Sequence, residues 1–326
     1  MNIAIIGAGL IGRKRAGALP ENINLSIVCD VNKKRAKKFA GDFHCQFETN
    51  WKEVIKNPNI QALIISTTNK YLPIIARESI LAGKHILIEK PGARNLKELQ
   101  ELEKTYQKRK VVIMFGYNHR YHPSILLAKK IIESKKYGKI LFIRARYGHG
   151  GRLGYEKEWR FNKEIAGGGE LLDQGSHLID LINFFNGQME LHNGLISKLF
   201  WSTSLEDSAF IILKNKKENS VAFLSATCVE WKNIFSFEII LDTAKIQIDG
   251  LGRSYGEEKL TLFTMKPKLG LPKIKEFSFP EEDLSWKKEN EVFFKKIKSG
   301  DTSNKSLKEA VYVLKIIEKV YKQNKL

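Results

Sequence analysis

Asp173 and His177 stand four residues apart in the stretch GGGELLDQGSH, residues 167–177. On a helix that spacing puts both on one face, where a carboxylate orients an imidazole and supports its protonated form. Such a pair suits general acid–base work near neutral pH. Two other readings compete. Half of a metal site lacks its remaining ligands, since no second H-x-x-x-H or carboxylate cluster supplies them. A buried structural pair is the reading that spacing alone favours. Asp180 fits the same face less well and is expected to cap or pair. Lys90, in Glu89-Lys90-Pro91, is the next candidate. At the carboxyl edge of an apolar run and beside a proline-fixed turn, it is placed to donate hydrogen bonds to a hydroxyl or a ribose. Bare spacing equally allows a surface lysine before a helix. Arginine binds phosphate or carboxylate bidentately, so Arg120, Arg152 and Arg160, the last beside Trp159 in the glycine-rich loop GHGGRLGYEKEWRF, are candidates for anion recognition. Salt bridging to Glu156 and Glu158 is the alternative for each loop arginine.

Gly7, Gly9 and Gly12 carry a different chemistry. They follow an uncharged, Ile-rich run, residues 2–6, at G-x-G-x-x-G spacing and precede a helix-like segment that includes Leu10 and Ile11. This is a dinucleotide signature: a tight turn at Gly7, close backbone approach at Gly9, close helix packing at Gly12, and a diphosphate at the helix N-terminus. A second strand pattern, residues 25–29, ends in Asp30, placed to accept both hydroxyls of an adenosine ribose. A carboxylate there repels a 2′-phosphate, which favours NAD over NADP. Lys33, Lys34 and Arg35 weaken that preference unless they form a solvated helix face.

The elements that must position these residues alternate over the first 120 positions. Strands are expected at 45–47, 62–66, 85–88 and 111–115, with helices capped by Asn32 and Asn50, a helix at 72–82 stopping at Gly83, and an amphipathic helix at 95–108. This is the pattern of a doubly wound parallel sheet, an α/β fold. Ligands bind such sheets at the carboxyl ends of the strands, so Thr67, Thr68 and Asn69 are expected to line the cofactor cleft. From residue 140 the texture changes to long alternating strands. In ILFIRARY, Leu141, Ile143, Ala145 and Tyr147 point one way, and Phe142, Arg144 and Arg146 the other. Further strands are expected at 191–200, 208–213, 221–230, 235–241, 245–248, 259–264 and 275–279. They make an α+β domain on a large, mainly antiparallel open sheet. Helices at 285–298 and from Ser306, with Ser306-x-x-Glu309 as a capping box, close the chain. The expected division is 1–120 and 121–326, the last helix packing back on the first domain.

With 326 residues and 43% hydrophobic content the chain can bury substantial cores. Cys29, Cys45 and Cys228 show no C-x-x-C spacing, which argues against a disulfide framework or zinc knuckle. No apolar run reaches membrane-spanning length, and the N-terminus enters a strand without a charged leader, so cytoplasmic residence is the expectation. The formal charge of +19 admits nucleic acid, an anionic surface or an acidic small molecule. The lysines, such as Lys97, Lys104, Lys108, Lys129 and Lys130, are scattered over helix faces with no nucleic-acid motif, so nucleic acid is disfavoured.

GAGLIG, Asp30 and HILIEKP together resemble the Gfo/Idh/MocA family, the glucose–fructose oxidoreductase and inositol dehydrogenase superfamily, over nearly the whole chain. The resemblance implies that Lys90 lies between nicotinamide and substrate and assists proton transfer, with Glu89 near the cofactor and a Lys90–Pro91 bond often cis in relatives. It also favours a catalytic reading of Asp173 and His177, which match the family's D-x-x-x-H motif. In GYNHRYHP, Asn118 and Arg120 match residues near cofactor or substrate. Tyr71 departs from the pattern, since many relatives carry histidine there. The activity implied is an NAD-dependent sugar dehydrogenase with His177 as base, Asp173 orienting it and Lys90 polarising or relaying. The loop resembles those of members acting on nucleotide-linked sugars, which implies a UDP-N-acetylhexosamine type substrate oxidised at C3. Free polyols or aldoses, and a non-catalytic NAD-binding regulator, are the alternatives. Family members pair through the exposed sheet face, implying a homodimer or homotetramer.

Overall fold

The computed structural model describes residues 1–107 and 109–325. Lys108, expected at the end of a helix, lies outside the described residues. The chain divides into two compact units: residues 1–117, 164–167 and 286–311, and residues 118–163, 168–285 and 312 onward.

The first unit begins with β1 (Asn2–Ile6), α1 (Leu10–Gly17), β2 (Asn24–Cys29), α2 (Lys33–Phe43), β3 (Gln46–Glu48) and α3 (Trp51–Lys56). It continues with β4 (Ala62–Ile65), α4 (Leu72–Leu81), β5 (His85–Glu89), α5 (Leu96–Tyr106) and β6 (Ile113–Gly116). The strands form one sheet in the order β3-β2-β1-β4-β5-β6, every pair parallel. Covered on both faces, such strands need continuous apolar runs, and Ile3, Ala4 and Ile5 of β1 and all four residues of β4 are fully buried. The expected asparagine caps are in place, Asn32 and Asn50 Oδ1 accepting from the amides of Arg35 and Lys52 at 3.0 and 3.1 Å, and Asn95 Oδ1 caps a third helix, accepting from the amide of Glu98 at 3.0 Å.

Residues 164–167 and 286–311 also belong to this unit, a return that one boundary near residue 120 does not express. One tie of residues 286–311 to the rest of the unit is a buried charge. Arg15 of α1 is fully buried, and its guanidinium donates to Glu89 Oε1 (2.6 Å) and Asn290 Oδ1 (3.2 Å) and pairs with Glu289 (2.6 Å). Asn290 Nδ2 closes the network on the carbonyls of Arg15 and Ala18. A guanidinium in an apolar interior is costly unless paired in this way.

The second unit holds α6 (Pro123–Glu133) and β7 (Ile140–Gly148). A single turn, α7 (Lys163–Ala166), precedes α8 (Ser176–Asn186). Then come β8 (Glu190–Ser197), β9 (Ser208–Asn215), β10 (Ser220–Thr227), β11 (Ile234–Leu241), β12 (Ala244–Asp249), β13 (Glu258–Thr264) and β14 (Lys273–Phe279). Two helices end the chain, α9 (Ser285–Ser299) and α10 (Lys305–Gln323). The sheet runs β14-β13-β12-β11-β7-β10-β9-β8 and is antiparallel except where β7 meets β10. On β7 the alternation holds with one correction: Leu141 is exposed and Ile140 buried. A bulge causes it, since Ile240 pairs with Phe142 but Leu241 with Ile140, and a slipped register turns a side chain to the other face. Phe142, Val221 and Phe223 are exposed on one face of this sheet.

Among the described residues no helix is long and apolar enough to cross a membrane.

Candidate functional site

In the first unit the order of strands reverses between β1 and β4, and it is at this switch point that open α/β sheets bind ligands. The glycine turn leaves β1 here. Gly7 has φ +110°, and a Cβ on it would stand 2.4 Å from the carbonyl oxygen of Ser66. A Cβ on Gly12 would stand 2.0 Å from the carbonyl oxygen of Gly7. These two positions therefore need glycine. At Gly9 there is open space instead, Leu10 beside it is exposed and Ile11 half-buried, and no side chain caps α1. An uncapped helix N-terminus under open space suits a diphosphate.

Asp30 closes the same turn. Its Oδ2 accepts from the amide of Ala8 (2.9 Å) and Oδ1 from that of Asn32 (2.9 Å). Arg35 grips both oxygens at 2.8 and 2.7 Å. Burial pushes this carboxyl up, but Arg35 and the two amides outweigh it and hold Asp30 below the usual carboxylate range. The expectation that Arg35 lies on a solvated face is half right: the side chain is 50% exposed, yet its head is committed to Asp30.

Thr67, Thr68 and Asn69 follow β4. Thr67 and Thr68 are half-buried, while Asn69 is buried and donates to the carbonyl of Ala166 (2.9 Å). Lys90 is half-buried after β5, and the Lys90–Pro91 peptide is cis. Glu89 is held by Arg15, so here it anchors the strand end.

In the second unit the glycine-rich turn opens into a π-helical turn, Leu171–Gly175, that runs into α8. Asp173 is in the π turn and His177 in the first turn of α8, so the regular-helix argument for their shared face does not apply unmodified. Buried Glu206 holds this turn, accepting from the amides of Gly169 (3.0 Å) and Leu171 (3.3 Å) and from the Tyr321 hydroxyl (2.7 Å). Burial pushes the Glu206 carboxyl up despite these donors.

Asp173 Oδ2 accepts from Arg160 Nε (3.1 Å), and Arg160 Nη1 also reaches Glu158 (3.2 Å). Arg152 pairs with Glu158 too, the salt-bridge alternative in fact, and Trp159 opens a short 3-10 turn beside it. Arg120 is held by Asp180, Nε to Oδ2 at 2.7 Å, which makes Asp180 a pairing residue. Asn118 is buried and donates to Ser285 Oγ (2.9 Å).

His177 is buried in an aromatic cluster. Its ring stacks on that of His119 with centroids 3.7 Å apart and planes at 26°. Tyr147 of β7 stands edge-on to both at 6.0 and 5.1 Å, and Phe235 of β11 lies 6.0 Å from His119. Tyr147 bonds to Tyr255, which accepts from Gln174 Nε2 (3.3 Å). Burial drives the Tyr147 hydroxyl well above its ordinary value. Sequence reasoning missed His119, Tyr147 and Tyr255. The only signal for His119 was its place in GYNHRYHP, between two residues that were singled out. Among the described residues no group of three or more His, Cys, Asp or Glu could hold a metal ion.

A dinucleotide turn at the switch point of a 3-2-1-4-5-6 parallel sheet, joined to an open mixed sheet, defines a two-unit Rossmann protein. Residues 1–117 match the oxidoreductase family with NAD-binding Rossmann fold, Gfo/Idh/MocA, and residues 125–247 match a C-terminal domain of the same family. The chain belongs to the Gfo/Idh/MocA family. It is 31% identical to levoglucosan dehydrogenase of Pseudarthrobacter phenanthrenivorans over 213 residues, 60% of this chain and 54% of that protein. It is 32% identical to glucose-6-phosphate 3-dehydrogenase of Bacillus subtilis over 184 residues, 55% and 52% of the two. The chain thus spans about half the length of the curated relatives it matches. In fold it is similar to levoglucosan dehydrogenase in complex with NADH, with a TM-score of 0.89 at 24% identity over 99% of this chain and 97% of that one.

The residues of the first unit fit NAD: the open, uncapped start of α1 for the diphosphate and the Asp30 carboxylate for the ribose.

Proposed function

We propose that this chain is an NAD-dependent dehydrogenase that oxidises a ring hydroxyl of a sugar or polyol to a ketone. The observation that carries the reading is the glycine turn closed by a buried, ionised Asp30 at the sheet's switch point. Gly7, Gly9, Leu10, Ile11, Gly12, Asp30, Thr67 and Thr68 hold the cofactor, with Asn69 tied to the Ala166 carbonyl and Glu89 to Arg15 at the strand ends beside it. Bound NAD supplies the hydride acceptor. The chain's own residues handle the proton. His177 takes it from the substrate hydroxyl, Asp173, shared with Arg160, orients the imidazole, and Lys90 polarises the hydroxyl or relays the proton. His177→Ala is expected to lower turnover by about 10²–10⁴-fold while NAD still binds. Turnover unchanged in that variant refutes the assignment, and a loss of that size in Lys90→Ala instead makes Lys90 the base.

Within the sugars we place an anionic ring first, a nucleotide-linked sugar such as a UDP-N-acetylhexosamine oxidised at C3 for surface polysaccharide synthesis. The +19 charge and the largely exposed guanidinium of Arg152 support it, and one relative is named for a sugar phosphate. The commitment of Arg120 and Arg160 to aspartates favours a neutral ring instead. NAD reduction measured with UDP-N-acetylglucosamine, glucose 6-phosphate, levoglucosan and myo-inositol decides between them. The exposed Phe142, Val221 and Phe223 support pairing of two copies through the second sheet. Cytoplasmic residence belongs to the same reading. Binding of NAD with no reduction by any of the four, together with salt-sensitive DNA binding, would favour the regulator.

A further inference from the structure

We propose that His119 is the positioning residue for His177, fixing its ring by stacking and coupling the two rings so that they share one proton. The inference rests on His177 being the base. Both rings are buried, and their centroids are 3.7 Å apart. Two positive charges at that separation, out of bulk water, repel strongly, so the pair accepts one proton and resists a second.

Charged and polar groups face both rings. Asn118 commits its amide nitrogen to Ser285 Oγ, which turns its oxygen to His119 Nδ1 at 3.2 Å and fixes a proton on that nitrogen. On the far side of His119 lies His122, 5.8 Å away, with Glu258 Oε2 at 2.9 Å from its Nδ1 and Asp283 at 3.7 Å from its Nε2. Carboxylates also flank His177 along the chain. Asp173, on the turn before it, is countered by Arg160, and Asp180, on the turn after it, by Arg120. From the sheet it faces Tyr147, whose raised hydroxyl stays neutral and is bonded to Tyr255. Glu170 stands in the same region, 3.9 Å from His149. With one of the two rings charged, the other keeps a neutral lone pair to a lower pH than an isolated histidine would.

The test is histidine Cε1–H NMR titration of the whole chain, native, His119→Phe and His177→Phe, alone and with NAD. Phe keeps the stacked ring without a titrating nitrogen, and His119→Asn is the second variant should Phe misfold. The native pair is expected to titrate in two steps whose pKa values sum to about one unit or more below the sum from the two single variants. The acid limb of NAD reduction, with glucose 6-phosphate or levoglucosan as probe, is expected to move to higher pH in His119→Phe. Additive titrations, or an acid limb that stays put in the variant, overturn the proposal. A coupled pair in a chain whose turnover survives His177→Ala refutes the base assignment instead, so the two failures are told apart.

Discussion

The dinucleotide turn of the first unit and the histidine cluster of the second are built in opposite ways. The turn is made of backbone: twelve consecutive residues place a strand end, an uncapped helix start and two glycines that no other residue can replace, and one distant side chain, Asp30, completes it. The cluster is made of side chains from four separate segments, His119, Tyr147, His177 and Phe235, none within 25 residues of the next. A backbone-made site tolerates changes of side chain around it but not of glycine, whereas a side-chain-made site depends on every ring that packs it.

The sharpest way to break that comparison is Phe235→Ala. Phe235 is 2% exposed and packs against His119, Tyr147 and Phe237, so its loss is expected to cost about 3–5 kcal/mol. Urea unfolding should show that loss together with reduced turnover, while NAD affinity is kept. Stability within experimental error of the native protein would mean that the cluster does not depend on its packing. The matching change in the first unit is Gly12→Ala, whose methyl would press on the carbonyl of Gly7 at a strain of about 1–3 kcal/mol. Here the expected pattern is reversed. NAD affinity, read by fluorescence titration, falls while the His119–His177 titration stays as in the native chain.

The smallest effect is common to both units. Burial lowers the pKa of His85 in the first and, as the leading cause, of His149 in the second. Each accepts a backbone amide on Nδ1, from Val112 and Gly151 at 2.9 Å, and so is neutral in the fold. The unfolded chain binds more protons than the fold between the lowered values and the ordinary value near 6.5. Stability from these groups is thus complete above about pH 6.5 and is lost as pH falls through the folded values. Melting temperature measured from pH 8 to 5 should decline on the acid side, and His149→Gln should flatten part of that decline. A flat profile in the native protein would refute it.

Sequence alone determined whatever is written in neighbouring residues. The parallel strands were legible because burial on both faces demands unbroken apolar runs, the caps because Asn32 and Asn50 satisfy amides three residues away or fewer, and the turn because the glycine spacing is written within a few positions, Gly12 answering to the carbonyl of Gly7. Asp30 was legible too, as the acid a fixed distance beyond that turn. Only the tertiary structure decided what distant segments do to one another. Arg15, an unremarkable basic residue on α1, proved fully buried because Glu89 and Glu289, the latter 274 positions on, meet its charge. Arg120 and Arg160 found aspartates where the sequence offered anionic substrate, Leu141 turned outward at a bulge set by β11, and His119 gained the stacking partner that its local motif gave no reason to expect. The cause is the same in each case. Spacing along the chain dictates local hydrogen bonding and periodicity, but ion pairing and ring packing depend on distances that exist only once the chain has folded.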